Sequence, residues 1–407
     1  MNIKLKNILF GYCTSSLGSW IDFITILTLS AYQFNASPYE MAVISALSLL
    51  PGIILTKNLG QLLESGSVIL ILILSLLLRI GATVGIILSQ SIEIFIIFVA
   101  LRSVFNSVMQ PAINVLSIQM LKGENSTKFY SLMNMINNIS KLIVPILGAV
   151  SSSVIGERAI LLVSIGFTSI SLLSFLLHHK NSEISIDKEN LEKILPEGNL
   201  SKKKPNTMLP LLWCVATYFF FVFMLNNQMA IILMYLQFDK AALGMLMSCS
   251  AAGNILSGIM TAKFSIKYPI TGKLSELMIP GASTAVGFGL IGITLNLPQS
   301  FSLYILLLVF FSVGIFSARF AIASNVFVSL NYSQFSGIAS VRLQSIQNIS
   351  ILIAPLAGEY ILSIAGAKTL FFISSILGLV SFLFLYLYCH WIKIVSFFKK
   401  IVGNIFR

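Results

Sequence analysis

Asp22, Arg79, Arg102, Lys141, Arg319 and Glu359 stand within long apolar stretches of this sequence. A charge in such surroundings is costly, so it pairs with another charge, faces a cavity, or carries a proton or ion. Four bases against two acids leave the interior cationic in excess. A buried carboxylate such as Asp22 can hold or release a proton as its burial and the nearness of an arginine change. Amides and hydroxyls extend these points into stripes. Arg102, Asn106 and Gln110 recur every four residues ahead of Pro111, which stacks them on one helix face. Asn134, then Asn137 or Asn138, and Lys141 repeat the pattern ahead of Pro145 and Gly148. Ser15, Ser19, Asp22 and Thr25 repeat it near the start. Amides alone are more often hydrogen-bond partners between helices than ligands, so the charges carry the functional weight.

The elements that must position these groups are membrane-spanning helices. Of 407 residues 57% are hydrophobic and 10% charged, and the mean hydropathy is +0.92. A helix needs roughly 20 mainly apolar residues to cross a bilayer, and twelve such segments can be marked. The first is too long for a cleavable signal peptide and is interrupted by Trp20 and Asp22.

An internal repeat orders them. INNISKLIVPILG at 136–148 returns as IQNISILIAPLAG at 346–358, with Pro145 and Gly148 matched by Pro355 and Gly358. The expected organisation is an all-α integral membrane protein of two pseudo-symmetric six-helix bundles, at 1–177 and 209–390. A polar linker at 178–208 joins them, and a basic amphipathic tail at 391–407 follows. Paired half-repeats in a membrane protein point to a secondary transporter.

The net charge of +12 does not point to nucleic acid, because the basic residues fall almost entirely on one side of the predicted spans. By the positive-inside rule both termini and the linker are expected in the cytoplasm. Cys13, Cys214, Cys249 and Cys389 are isolated, and His178, His179 and His390 lie at span ends without metal-ligand spacing, so no metal site is assigned. No GxxxxGK, GxSxG or HExxH run occurs, which opposes an ATP-driven pump and an intramembrane enzyme. Gly81 and Gly85 form a GxxxG that more often packs helices within one chain, and a monomer is expected.

The run LRSVFNSVMQPAINVL, with Arg102, Pro111, Ala112 and Asn114, resembles the fourth-helix signature of the major facilitator superfamily's drug:proton antiporter branch, which includes macrolide efflux and siderophore export proteins. KLIVPILG, with Lys141, Pro145 and Gly148, resembles that branch's fifth-helix pattern, and Arg79 falls where the branch often has an arginine in its third helix. Gly60 and Glu64 match the glycine and acid of the loop between helices two and three, whereas Ser65, Gly66, Ser67 and Val68 stand where arginines are usual.

The resemblance implies two bundles with helices one, four, seven and ten around a central cavity. Trp20, Asn106, Gln110, Asn134, Asn138, Lys141, Asn226, Asn227, Gln228 and Arg319 are then expected to line it. Asp22, Arg102 and Glu359 are expected to couple protons, while Gly60, Glu64, Arg79, Pro111, Pro145, Gly148, Pro355 and Gly358 gate or shape the helices. Phe219, Phe220, Phe221 and Phe223 add aromatic surface, at least two of them expected against lipid. The function this implies is proton-coupled efflux of a small amphipathic compound from a bacterial cytoplasmic membrane, with the proton gradient as energy source and no cofactor. The internal cations favour a carboxylate, phosphate or catecholate on that compound. A self-immunity exporter for an antibiotic peptide, an uptake transporter, and a passive channel or receptor share these features.

Overall fold

The computed structural model describes residues 3–405 apart from 35, 37, 121–123, 156, 181–207, 227, 239, 266, 268–269 and 296–298; side chains at several further positions, 145–155 and 389–405 among them, are not described. Most of the expected linker, the contacts of the tail, and the side chains of Pro145 and Gly148 therefore lie outside the described residues.

Among the described residues the chain is helical throughout, with no strand. An apolar segment in lipid has no water to satisfy its peptide groups, and a helix satisfies them internally. The helices are α1 (Ile3–Thr28, running into a π turn at Leu29–Gln33), α2 (Pro38–Ile54), α3 (Thr56–Ser65), α4 (Val68–Leu88), α5 (Ile92–Met120), α6 (Glu124–Ile155) and α7 (Glu157–Lys180). After the linker come α8 (Leu209–Asn226), α9 (Met229–Tyr235), α10 (Lys240–Phe264), α11 (Ser275–Thr294), α12 (Gln299–Asn331) and α13 (Ser336–Ile405).

Eight of these are long and apolar enough to cross a membrane, or nine if α2 and α3, bent by 56° at their junction, form one span. The bend sits at Leu55, and the Thr56 hydroxyl reaches back to the carbonyls of Gly52 at 3.2 Å and Ile53 at 2.6 Å. Such a side chain satisfies backbone oxygens that a broken helix leaves open. Helix α13 is two limbs, because Gly366 at φ 76° and ψ 172° breaks it in a region only glycine adopts readily. Helices α1 and α6, at 26 and 32 residues, are as long as the spans but carry the polar stripes.

In the first half α1 packs on α6 and α7, and α4 on α5 and α7; in the second α8 packs on α13, and α12 on α10 and α11. Leu74, Leu77, Leu88, Ile97, Leu383 and Phe384 are exposed on the outside, where acyl chains rather than water suit them. The repeat has a structural meaning. Ser140 is the acceptor of a 3.4 Å contact from Ser16 on α1, and its repeat mate Ser350 donates to the Ala216 carbonyl on α8 at 3.1 Å. Both copies also carry an amide pair one turn apart, Asn134 with Asn138 at 3.0 Å and Gln344 with Asn348 at 3.1 Å.

The halves meet where α10 lies against α6 and where α13 lies against α2 and α3. These contacts run from mid-molecule to one end, the end carrying Glu64 and Asn331. Thr56 and Ser345 share a hydroxyl contact, and Ser345 donates to the Gly52 carbonyl at 2.7 Å. A Cβ on Gly60 would sit 3.1 Å from the Ile338 Cα, and one on Gly337 2.8 Å from the Gly60 carbonyl oxygen, so glycine on each side lets the backbones touch. Glu64 accepts from the Ile338 backbone N–H at 3.1 Å. Asn114 reaches Asn325 at 3.4 Å, and a Cβ on Gly258 would lie 3.3 Å from the Ser131 carbonyl oxygen. This end is sealed.

Candidate functional site

Asp22 is buried at 1% exposure in the middle of the first half, and three helices converge on it. Its Oδ2 accepts from Arg102 Nη2 at 2.6 Å and Nε at 2.9 Å, and from Arg79 Nη2 at 3.1 Å. Its Oδ1 accepts from the Ser164 hydroxyl. Arg79 also donates to Ser15 Oγ at 3.2 Å. The stripes explain how α1, α4, α5 and α7 each deliver a group. Gly18 gives the room, since a Cβ there would stand 3.0 Å from Thr168 Oγ1 and 3.5 Å from Arg79 Nη2. Two guanidiniums thus share one carboxylate away from solvent, and the Arg79 Nε has no partner. Removing the negative charge, by mutation or by a proton, leaves two buried cations facing each other.

Beside this cluster α1, α5 and α6 bring together a set of half-buried and exposed polar side chains. Trp20 Nε1 donates to Asn137 Oδ1 at 3.0 Å, the Lys141 ammonium stands 5.2 Å over the Trp20 ring, and Phe23 meets that ring edge to face at 5.8 Å. Ser19 donates to Asn106 Oδ1 at 3.2 Å, and Tyr12 to Gln110 Oε1 at 3.3 Å. Gln110 in turn donates to Asn114 at 3.3 Å. The Lys141 side chain is exposed although it sits deep among the helices. In the second half Arg319, half-buried on α12, donates to Thr261 at 3.4 Å. A separate cavity of about 310 Å³ opens beside α1, walled by Cys13, Leu17, Ile21, Ile136, Ile143 and Phe167 among others, and it is almost wholly apolar.

The structure brings together Asp22, Arg102 and Arg79, and separately Trp20, Asn106 and Lys141. Asn134 and Asn138 pair with each other rather than across helices, although Asn138 is the buried member. Gln228 is buried and donates to the Pro355 carbonyl at 3.1 Å, tying the end of α8 to α13. Asn226 is half-buried, Asn227 lies outside the described residues, and Glu359 is exposed on α13, in the other half from the charge cluster. Pro111 and Pro355 sit within α5 and α13, and a Cβ on Gly358 would collide with the Met224 carbonyl oxygen at 2.1 Å, so Gly358 sets the α8 to α13 distance.

None of the four phenylalanines of α8 is exposed. Phe221 is fully buried against Phe288 and Phe382, and Tyr218 stacks on Phe320 at 3.8 Å, while Phe219, Phe220 and Phe223 are half-buried. Ser164 is the site residue that sequence reading overlooked. Its signal was present, since Ser164, Thr168 and Ser171 recur every three to four residues along α7.

The family model described as Major Facilitator Superfamily matches residues 8–296. An uncharacterized MFS-type transporter of Bacillus subtilis (strain 168), YfiS, is 26% identical over 312 residues, covering 72% of each chain. The crystal structure of a bacterial homologue of the iron transporter ferroportin, in an outward-facing state, superposes with a TM-score of 0.69 at 14% identity, covering 95% of this chain and 98% of the other. The human organic anion transporter MFSD10 (TETRAN) gives the same TM-score and identity, covering 95% of this chain and 100% of its own.

Proposed function

We propose, because the chain belongs to the Major Facilitator Superfamily and is a multi-pass membrane transporter, that it exports a small amphipathic compound in exchange for protons by alternating access. In this reading twelve spans form the two bundles, with α2 and α3 as one span and the limbs of α13 as two. The lysine-rich end faces the cytoplasm of a bacterial cell. The sealed seam is then the inner gate, and the central cavity opens outward.

The observation that carries the coupling is the carboxylate of Asp22 held between Arg79 and Arg102. A proton arriving there withdraws the one negative charge from the cluster, so protonation and repacking of α1 against α4 and α5 become a single event. Export rather than uptake rests on the resemblance of the fourth and fifth helices to an efflux branch. Of the two substrate kinds that the structural neighbours' descriptions name, the interior favours the organic anion. Lys141 stands in no ion pair among the described residues, and no grouping of three or more His, Cys, Asp or Glu suited to a metal ion occurs among them.

The test is proton movement in proteoliposomes under an imposed pH gradient on addition of macrolides, siderophores and peptide antibiotics. Substrate-dependent flux in the wild type that is lost in Asp22→Asn/Arg79→Gln supports the proposal. Flux that persists moves coupling away from Asp22, and no flux with any compound sinks antiport of these classes.

A further inference from the structure

Around Trp20 the side-chain oxygens of Asn106, Asn134 and Asn137 each accept a hydrogen bond, while several donors beside them meet no acceptor among the described residues. The indole N–H can only donate, so Asn137 must present its oxygen to Trp20 and turns its amide NH₂ elsewhere. The Asn134 side-chain oxygen accepts from Asn138, and the Asn106 oxygen accepts from Ser19. Among the described residues no acceptor meets the NH₂ of Asn106, Asn134 or Asn137, or the Lys141 ammonium. Asn134, Asn137 and Lys141 rise in successive turns of α6, so these donors form one column beside the Trp20 ring, which Phe23 meets edge to face.

The second half does not repeat this. At the positions 210 residues on, Asn137 is replaced by Gln347 and Lys141 by Ile351. The contacts of Ser16 and Ala216 with the repeated serines align Trp20 with Phe220. Both halves keep their amides, but only the first carries the ammonium of Lys141 and the indole of Trp20, where the second has Ile351 and Phe220. From this asymmetry we infer that the polar set around Trp20 binds an aromatic organic anion. Its carboxylate, sulfonate or phosphate is held by Lys141 and the amides of Asn137 and Asn106, and its ring lies on Trp20. The inference rests on the transport reading for its meaning, but its test does not.

Binding is measured without any gradient, on protein in nanodiscs of phosphatidylcholine alone. The probe is tritiated 1-naphthylacetate, competed by 1-naphthylacetamide and 1-naphthylmethylamine, which keep the ring and change the charge. The acetate should bind about tenfold or more tightly than either competitor, the scale of a charge-assisted hydrogen bond. Lys141→Met should erase that preference and Lys141→Arg should keep it, both variants eluting as the wild type does. Equal binding of the three compounds, no binding of any, or a preference surviving in Lys141→Met would overturn the inference. So would loss of naphthylacetate binding on adding phosphatidylglycerol, which would make the anion a lipid headgroup. A protein that binds the acetate selectively but moves no protons keeps this site and loses the antiport proposal.

Discussion

A carboxylate shared by two buried guanidiniums makes a specific demand on substitution. Asp22→Asn alone leaves Arg79 and Arg102 unopposed, a loss on the order of 3–5 kcal/mol for a broken buried pair. Adding Arg79→Gln returns the cluster to a net charge of plus one, as in the wild type. The double variant should therefore recover most of the thermal stability in detergent that Asp22→Asn loses, and a melt by tryptophan fluorescence checks it. A double variant no more stable than the single would mean that geometry rather than charge balance holds the cluster. The members of the cluster were legible one at a time, because a charge in an apolar run declares itself. Their pairing was not. Which base meets Asp22 depends on the rotation of α1 against α4, α5 and α7, and Ser164 enters only through that rotation. Lys141 and Trp20 were each readable as cavity residues, but the engaged state of the acceptors around them required coordinates.

At the level of elements, helix contacts depend on residues that have no side chain. A Cβ on Gly253 of α10 would stand 2.1 Å from the Phe311 carbonyl oxygen, and one on Gly314 of α12 would stand 2.1 Å from that of Ser250. Backbone cannot rotate aside as a side chain can, so Gly253→Ala should force α10 and α12 apart and cost about 1–3 kcal/mol or more. Gly81→Ala, which meets nothing within 4 Å, should be neutral or gain up to about 1 kcal/mol of helix propensity. Comparing the two unfolding midpoints tests the assignment. The same contrast divides the GxxxG pair, since Gly85 packs against Phe98 within the chain while Gly81 faces outward. The helices themselves were largely visible in the hydropathy, and the repeat marked which two correspond. The bend at Leu55 follows Pro51 and Gly52 by one turn, a helix-weakening pair that the run of apolar residues around it masked. At the last bend, the gap expected between apolar runs narrows to a single residue, Gly366.

For the molecule as a whole, the proposed alternating access requires the contacts between α3 and α13 to part. Placing bulk where Gly60 meets Ile338 should favour the state in which this seam is open. In a cysteine-free background carrying Asn114→Cys, adding Gly60→Leu should speed maleimide labelling at 114 by about tenfold, the shift expected of roughly 1.4 kcal/mol between two states. Unchanged labelling would place the gate elsewhere. The way these backbones touch carries a mechanical consequence. Contact attraction between close-packed atoms is short-ranged, and a gap of only about 0.5–1 Å already forfeits a quarter to a half of it. A latch made of glycines pressed on a facing backbone therefore holds firmly until it parts and then exerts almost no pull. Such a latch snaps rather than slides, and dyes placed across α3 and α13 on single molecules should report two discrete distances with few readings between them.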